Sequence, residues 1–264
     1  MELEMNVAGI DAPAKQAGVL RVLAGALIKP RATTAALRQT RWTWWAIPAF
    51  LILAVTVLTV VAYSYAHCGY IYQLEMDHYA RSASQGGRSP NPITPLPITM
   101  AIRVAGRVLS TGGAWLVWSG ALYLALILLG YNGVAFGSVW TLVLWAWMPY
   151  AVRDVLQSIY MTVAHRPVYN QGLSGLVVDR TPPPLASFDY VIPTTNQEAL
   201  ASFLARLDVY LIWQLALMVI GAMALTRVSR RKAVAVILGI WLVFALVALI
   251  PQFFPATFAR FRYF

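Results

Sequence analysis

Six polar residues stand within or beside long apolar stretches of the chain: Arg153, Asp154, Gln157, Arg206, Asp208 and Gln214. Charges at membrane depth are costly, so they pair with one another or line an ion or substrate site. At a rise of about 1.5 Å per residue, Arg153 and Asp208 lie roughly 25 and 27 Å above the inner ends of their helices. This common height predicts two crossed ion pairs, Arg153 with Asp208 and Asp154 with Arg206, which clasp two helices near the outer interface. A substrate or ion site is the alternative interpretation.

Enzyme signatures are missing from the sequence. It contains no HExxH zinc motif, no GxSxG nucleophile turn and no GxxxxGK[ST] phosphate loop. The single cysteine, Cys68, excludes an internal disulfide and a cysteine-built metal site. None of the three histidines has a ligand-type partner at i+3 or i+4: His67, His78 and His165. The sequence therefore predicts a protein that is not an enzyme and that holds no cofactor or metal.

The elements that position these residues begin with a C-terminal hairpin. Two apolar stretches, 206–226 and 233–250, are each long enough for an α-helix to cross about 30 Å of hydrocarbon. A capping box at Thr195 to Glu198 predicts that the first of these helices begins near Asn196 and continues through Arg206 into the membrane. The short turn between the two spans is basic and therefore cytoplasmic, with Arg227, Arg230, Arg231 and Lys232.

Three further apolar stretches complete a predicted five-helix, all-α integral membrane domain over residues 42–254. Pro149 lies in the third span, where we expect it to kink the helix. Ser119 and Thr141 lie in spans, where hydroxyls usually bond the carbonyl four residues earlier. The remaining spans are 42–65, 109–129 and 136–156. Helix contacts are expected at the small residues Gly112, Gly113, Gly120, Gly221 and Gly239.

Segments outside the spans follow from the same topology. Residues 1–17 are expected to form a cytoplasmic tail, and 18–41 an amphipathic lead-in that lies in the headgroup plane. An odd number of spans then places the N-terminus in the cytoplasm and the tail 255–264 outside. The two long connections, between the first and second spans and between the third and fourth, are predicted to be extracytoplasmic loops.

The composition supports a membrane protein and not a nucleic-acid-binding one. Hydrophobic residues make up 59% of the chain and charged residues 11%, whereas soluble domains hold about 25% charged residues. The net charge of +10 arises mainly from cations beside apolar spans, where they set topology and attract anionic lipid headgroups. We therefore expect a bilayer partner and no nucleic acid.

Four segments, taken together, resemble the Yip1 domain family in its bacterial form. They are the entry segment LIKPRATTAALRQTRWTWW, the proline-bearing span LVLWAWMPYAVRDVLQ, the span LARLDVYLIWQLALMVIGAMALT and the basic turn SRRKA. The resemblance covers about residues 18–254 and implies a five-helix bundle with its N-terminus in the cytosol and its C-terminus outside. Eukaryotic relatives are associated with small GTPases and vesicle traffic, and the short cytoplasmic tail and long outer loops of this chain depart from that pattern.

The pattern favours two kinds of function in the bacterial cytoplasmic membrane. The first is a scaffold or accessory subunit that binds other membrane proteins or organises the bilayer. The second is a transporter component, either a permease or the partner of an ATP-driven (ABC-type) exporter. A cavity between helices that reaches Gln214 or Asp208 would favour the second, and a closed, dry bundle would count against it.

Overall fold

The computed structural model describes residues 45–82, 97–178 and 195–250, and this part of the chain is helical without a strand. The predicted tails, 1–17 and 255–264, and the predicted lead-in, 18–41, lie outside the described residues. A short 3-10 helix covers Ser174–Leu176. The α-helices of the described part are α1 Ala46–Ser82, α2 Pro97–Leu128, α3 Phe136–Ala146, α4 Met148–Ala164, α5 Thr195–Leu204, α6 Val209–Thr226 and α7 Arg230–Val247.

Three helices in the described part are long and apolar enough to cross a bilayer. They contain the stretches Ala46–Asp77, Pro97–Leu128 and Val209–Thr226. The other two predicted spans have a different form. The third is divided between α3, with 11 residues, and α4, with 17, each shorter than the roughly 20 residues a single span needs. The fifth, α7, has 18 residues and carries Arg230, Arg231 and Lys232 in its first turn.

The third predicted span is interrupted at Trp147, two residues before Pro149. Trp147 takes backbone angles of φ −84° and ψ −5°, and Pro149 stands in the first turn of α4. Proline is tolerated in a first turn because the N–H that it lacks has no helical acceptor there. The chain therefore starts a new helix at Met148, and α4 continues to Ala164.

The prediction of one continuous helix from Asn196 to Thr226 is wrong. The helix α5 ends at Leu204, four residues follow, and α6 begins at Val209. Asp208 makes the new start possible, because its carboxylate accepts a 2.7 Å hydrogen bond from the Leu211 N–H. An aspartate in this N-cap position satisfies a backbone donor that the helix leaves free.

The turn between α6 and α7 is formed by few residues. Arg227 takes a left-handed conformation, with φ +57°, and its N–H bonds the Met223 carbonyl at 2.9 Å. Ser229 then precedes α7 in an extended conformation. Three cations in the first turn of α7 oppose the helix dipole, so this placement is unfavourable for α7 alone.

Two hydrophobic clusters hold the helices together. The larger joins α2, α3, α6 and α7 around side chains that are almost fully buried, among them Leu122, Val143, Met218 and Ile237. The smaller joins α1 to α2, α3 and α4 around Ile52, Trp115, Leu144 and Met148. Between apolar helices in lipid, close van der Waals packing supplies much of the attraction.

The predicted glycine contacts are confirmed at one position and wrong at the others. A Cβ at Gly221 would meet the Leu142 side chain, so α6 approaches α3 closely there. A Cβ would find nothing within 4 Å at four glycines, so these do not serve helix contacts in the described part of the chain: Gly112, Gly113, Gly120 and Gly239.

Candidate functional site

Arg153 lies at the centre of a mostly buried ion-pair cluster, here named the Arg153 cluster and formed by Arg153, Asp154 and Asp208. Its Nε and Nη2 atoms lie 3.1 and 3.0 Å from Asp154 Oδ1, and its Nη1 atom lies 3.3 Å from Asp208 Oδ2. The three side chains are 16%, 11% and 13% exposed, respectively. Since Arg153 belongs to α4 and Asp208 caps α6, the cluster joins these two helices.

The structure does not contain the second predicted pair, Asp154 with Arg206. Arg153 forms ion pairs with Asp154 and Asp208, and Arg206 takes part in neither of them. Sequence neighbours on a helix rarely face each other, but the guanidinium of Arg153 reaches both carboxylates. It also stacks on Tyr150, with Cζ 4.6 Å from the ring centroid, a favourable cation–π geometry.

The break before α6 is packed against the connection that follows α4. The Leu173 N–H donates to the Leu204 carbonyl at 3.0 Å, which satisfies an acceptor at the end of α5. Gly172, with φ +54°, lies so close that a Cβ would be 2.8–2.9 Å from three carbonyl oxygens, including those of Leu204 and Ala205. A residue with a side chain does not fit here, so this glycine is required by the interrupted helix.

A hydroxyl network beside the cluster joins α4 to α1. Thr59 Oγ1 lies 3.2 Å from the Asp154 carbonyl oxygen and 2.9 Å from Ser158 Oγ. Ser158 in turn bonds the Asp154 carbonyl at 2.7 Å. The sequence signal for this contact is the placement of two hydroxyl residues, Thr59 and Ser158, within apolar stretches.

A cavity of about 500 Å³ lies beside the Arg153 cluster between α2, α4, α6 and α7; we name it the aromatic cavity. Arg107, Arg206 and Gln171 are exposed and form its polar mouth, while Gln214 is buried within it. Its apolar wall consists mainly of aromatic side chains, namely Trp118, Trp147, Trp241 and Phe244. Trp118 and Phe244 contact each other edge to face, with 5.2 Å between ring centroids.

A second cavity, of about 640 Å³, is lined by residues of α1, α2 and α4 and by Val168 and Gln171 of the connection after α4. Arg103 and Gln157 line this second cavity alone. Arg107, Ser110 and Gln171 line both cavities. The two cavities therefore share these three lining residues. Of the polar residues singled out in the sequence, Arg153, Arg206 and Gln214 line the first cavity and Gln157 lines the second.

The remaining polar predictions have mixed outcomes. Thr141 bonds the Gly137 carbonyl at 2.8 Å as expected, whereas buried Ser119 has no hydrogen-bond partner in the described part.

His67 Nδ1 lies 2.9 Å from the Tyr169 hydroxyl, which ties α1 to the connection after α4. Burial, together with the neighbouring Tyr63 and Tyr70, raises the pKa of Tyr169 to about 12, so its hydroxyl stays protonated at neutral pH.

No group of three His, Cys, Asp or Glu side chains that could hold a metal comes together within residues 45–82, 97–178 and 195–250. The chemistry present is that of hydrogen-bond donors and cations around two cavities. Arginine side chains offer planar, bidentate donors for carboxylates and phosphates. The arrangement is therefore suited to binding an anion.

The helical fold and its long apolar helices define the class: a multi-pass membrane protein. The chain belongs to the Yip1 domain family, since the family's sequence profile matches residues 24–250, most of its length. The comparison with curated proteins and the comparison with solved structures give no match.

Proposed function

We propose that the chain is a non-enzymatic scaffold or accessory subunit of the bacterial cytoplasmic membrane that binds other membrane proteins. In this proposal it crosses the membrane five times, with the interrupted pair α3–α4 as the third crossing and the N-terminus in the cytoplasm. Two pieces of sequence and structure support the role: Yip1 family membership and an unpartnered face on α2. The face is the observation that carries the proposal.

The α2 face combines large apolar side chains with open glycines. Leu109, Leu116 and Leu124 are 75%, 57% and 56% exposed. Gly113 and Gly120 stand between them at helical spacing, and a Cβ on either would meet nothing within 4 Å. Small residues along a membrane helix let another helix approach its backbone closely. This face therefore has the shape that a partner helix needs, and the chain's own helices do not use its glycines.

Copurification with glycine variants tests this role. Because both glycines border open space, Gly113→Leu and Gly120→Leu leave the monomer intact while they obstruct a partner helix. A partner chain should copurify from native membranes at stoichiometric yield with the wild type, and its yield should fall about tenfold with the variants, which corresponds to roughly 1.4 kcal/mol of lost contact.

Gly239→Leu is the matched control, because Gly239 of α7 is equally open but does not belong to the α2 face. Unchanged partner yield in both α2 variants, or the absence of any stoichiometric partner, would rule out the accessory role.

The topology is tested separately with accessibility tags at Met1 and Phe264. Tags on the same side of the membrane would contradict five crossings.

A transporter component is the second candidate, and the aromatic cavity favours it. The cavity reaches buried Gln214 from a mouth at Arg107 and Arg206, as expected for a route that admits polar cargo. The copurification experiment separates the two roles by the identity of the partner. An ATP-hydrolysing subunit among the recovered chains supports the transporter role, and a stoichiometric partner of another kind supports the accessory role.

A further inference from the structure

The aromatic cavity is polar at one end and apolar at the other. Along α2 the lining side chains run from Arg107 through Ser110 and Thr111 to Trp118, a distance of roughly 16 Å at 1.5 Å per residue. The cations and hydroxyls lie toward the N-terminal end of α2 and the tryptophan lies farther along the helix. A ligand that fills this space would have a polar end and an apolar end.

The polar end of the aromatic cavity carries positive charge that no carboxylate of its lining neutralises. No Asp or Glu is among the described residues that line either cavity. The nearby aspartates, Asp154 and Asp208, are both bound to Arg153. Arg107 and Arg206 take part in no ion pair of the described residues and are exposed at the mouth. The mouth therefore offers two guanidinium groups to an anion.

A buried donor inside the cavity lacks an acceptor. Gln214 is 2% exposed, and its Nε2 atom has no hydrogen-bond partner in the described part of the chain. Gln214 also lines the aromatic cavity. A buried donor without an acceptor is unfavourable and calls for an explanation such as a bound group. An acceptor oxygen on a ligand in the cavity would satisfy it.

We propose that the aromatic cavity binds an anionic phospholipid, with its phosphate between Arg107 and Arg206 and an acyl chain against Trp118 and Phe244. Arginine pairs with phosphate in bidentate geometry, and the apolar wall matches hydrocarbon. This inference goes beyond the accessory role, since a bound lipid requires neither a protein partner nor transport. Free phosphate shares the headgroup chemistry but does not use the apolar wall.

Lipid retention by the purified full-length protein tests the proposal. The protein is equilibrated in micelles with equal amounts of phosphatidylglycerol and phosphatidylcholine, and bound lipid per chain is measured by native mass spectrometry. Wild type should retain about one phosphatidylglycerol per chain in preference to phosphatidylcholine. Arg107→Gln with Arg206→Gln should reduce that retention about tenfold or more, because two charge-assisted contacts are lost. Gln214→Leu, which removes the buried donor, should reduce it less.

Arg166→Gln is the control, because it removes a guanidinium from an exposed position that lines neither cavity. Equal retention of the two lipids by wild type, or equal loss in the control, would overturn the proposal. Inorganic phosphate is added in a second arm, at the same concentration as the phosphatidylglycerol. Displacement of the lipid by phosphate would show an anion site without a chain-binding wall and would also overturn it. Neither arm measures a protein partner, so failure here is distinct from failure of the accessory role.

Discussion

Replacing Arg153 by glutamine should destabilise the protein more than replacing either of its carboxylate partners. The reason is the composition of the Arg153 cluster, in which one cation neutralises two aspartates that are 11% and 13% exposed. Arg153→Gln leaves Asp154 and Asp208 close together, mostly buried and without a cation. Asp208→Asn removes one charge only, and Arg153 stays bound to Asp154 at 3.0 Å.

The two substitutions differ in expected size. Stranding a buried charge by removing its partner costs about 3–5 kcal/mol, so we expect that loss for Arg153→Gln. Asparagine is as good an N-cap as aspartate, so Asp208→Asn keeps the hydrogen bond from Leu211. It should cost about 1.5–3 kcal/mol, the value of one hydrogen bond to a charged group. The double variant, Arg153→Gln with Asp208→Asn, keeps only the carboxylate of Asp154, so it should be more stable than Arg153→Gln alone.

Equilibrium unfolding in mixed micelles, followed by tryptophan fluorescence, measures these differences as free energies of unfolding. Arg166→Gln serves as the control, because Arg166 is exposed and a substitution there should change stability by less than about 0.5 kcal/mol. The reasoning is refuted if Asp208→Asn costs as much as Arg153→Gln. It is equally refuted if the double variant is less stable than Arg153→Gln, because removal of the Asp208 charge would then not recover any stability.

Two further substitutions address the connection after α4. Gly172→Ala should destabilise the protein by at least about 2 kcal/mol, because the added Cβ would meet three carbonyl oxygens at 2.8–2.9 Å and φ is +54°. Gly133→Ala is the control. A Cβ there meets nothing within 4 Å, so this substitution should leave the free energy of unfolding unchanged in the same assay. Tyr169→Phe should cost about 1 kcal/mol through its lost bond to His67. Because the pKa of Tyr169 is raised from 10.0 to about 12, the hydroxyl's contribution is complete below pH 10 and declines as pH rises toward 12. The stability difference between wild type and Tyr169→Phe should narrow over that range, and a constant difference would contradict the buried hydroxyl.

The two helix interruptions contribute residues to the aromatic cavity and to the Arg153 cluster. The first, at Trp147, places a tryptophan in the wall of the aromatic cavity, where its ring lies 6.3 Å from that of Trp115. The second, before Asp208, turns a residue of a predicted continuous helix into a cap that also binds Arg153. Irregular backbone at membrane depth is tolerated where protein buries it or where it lines a cavity, and both breaks meet that condition.

Much of the fold follows from local properties of the sequence. The apolar stretches predict the long helices, since length and composition alone decide whether a segment can cross hydrocarbon. The basic turn at Arg227 and Arg230 can also be read directly from residue types. The same holds for the four segments that resemble the Yip1 domain family, to which the chain belongs. The heights estimated along the two helices place Arg153 and Asp208 level with each other. In the structure, Nη1 of Arg153 lies 3.3 Å from Oδ2 of Asp208.

Contacts between distant segments depend on tertiary structure. The capping pattern at Thr195 predicts a start for α5, but the break after Leu204 needs Gly172 and Leu173 from another segment to accommodate its carbonyls. Likewise, no spacing rule distinguishes Gly221, where a Cβ would meet Leu142, from Gly113, where a Cβ would meet nothing within 4 Å. Length, hydrophobicity and charge thus determine that the chain forms membrane helices and which ends are basic. Which side chains face one another, and where the cavities lie between them, was decided by helix packing, because those contacts join residues far apart in the chain.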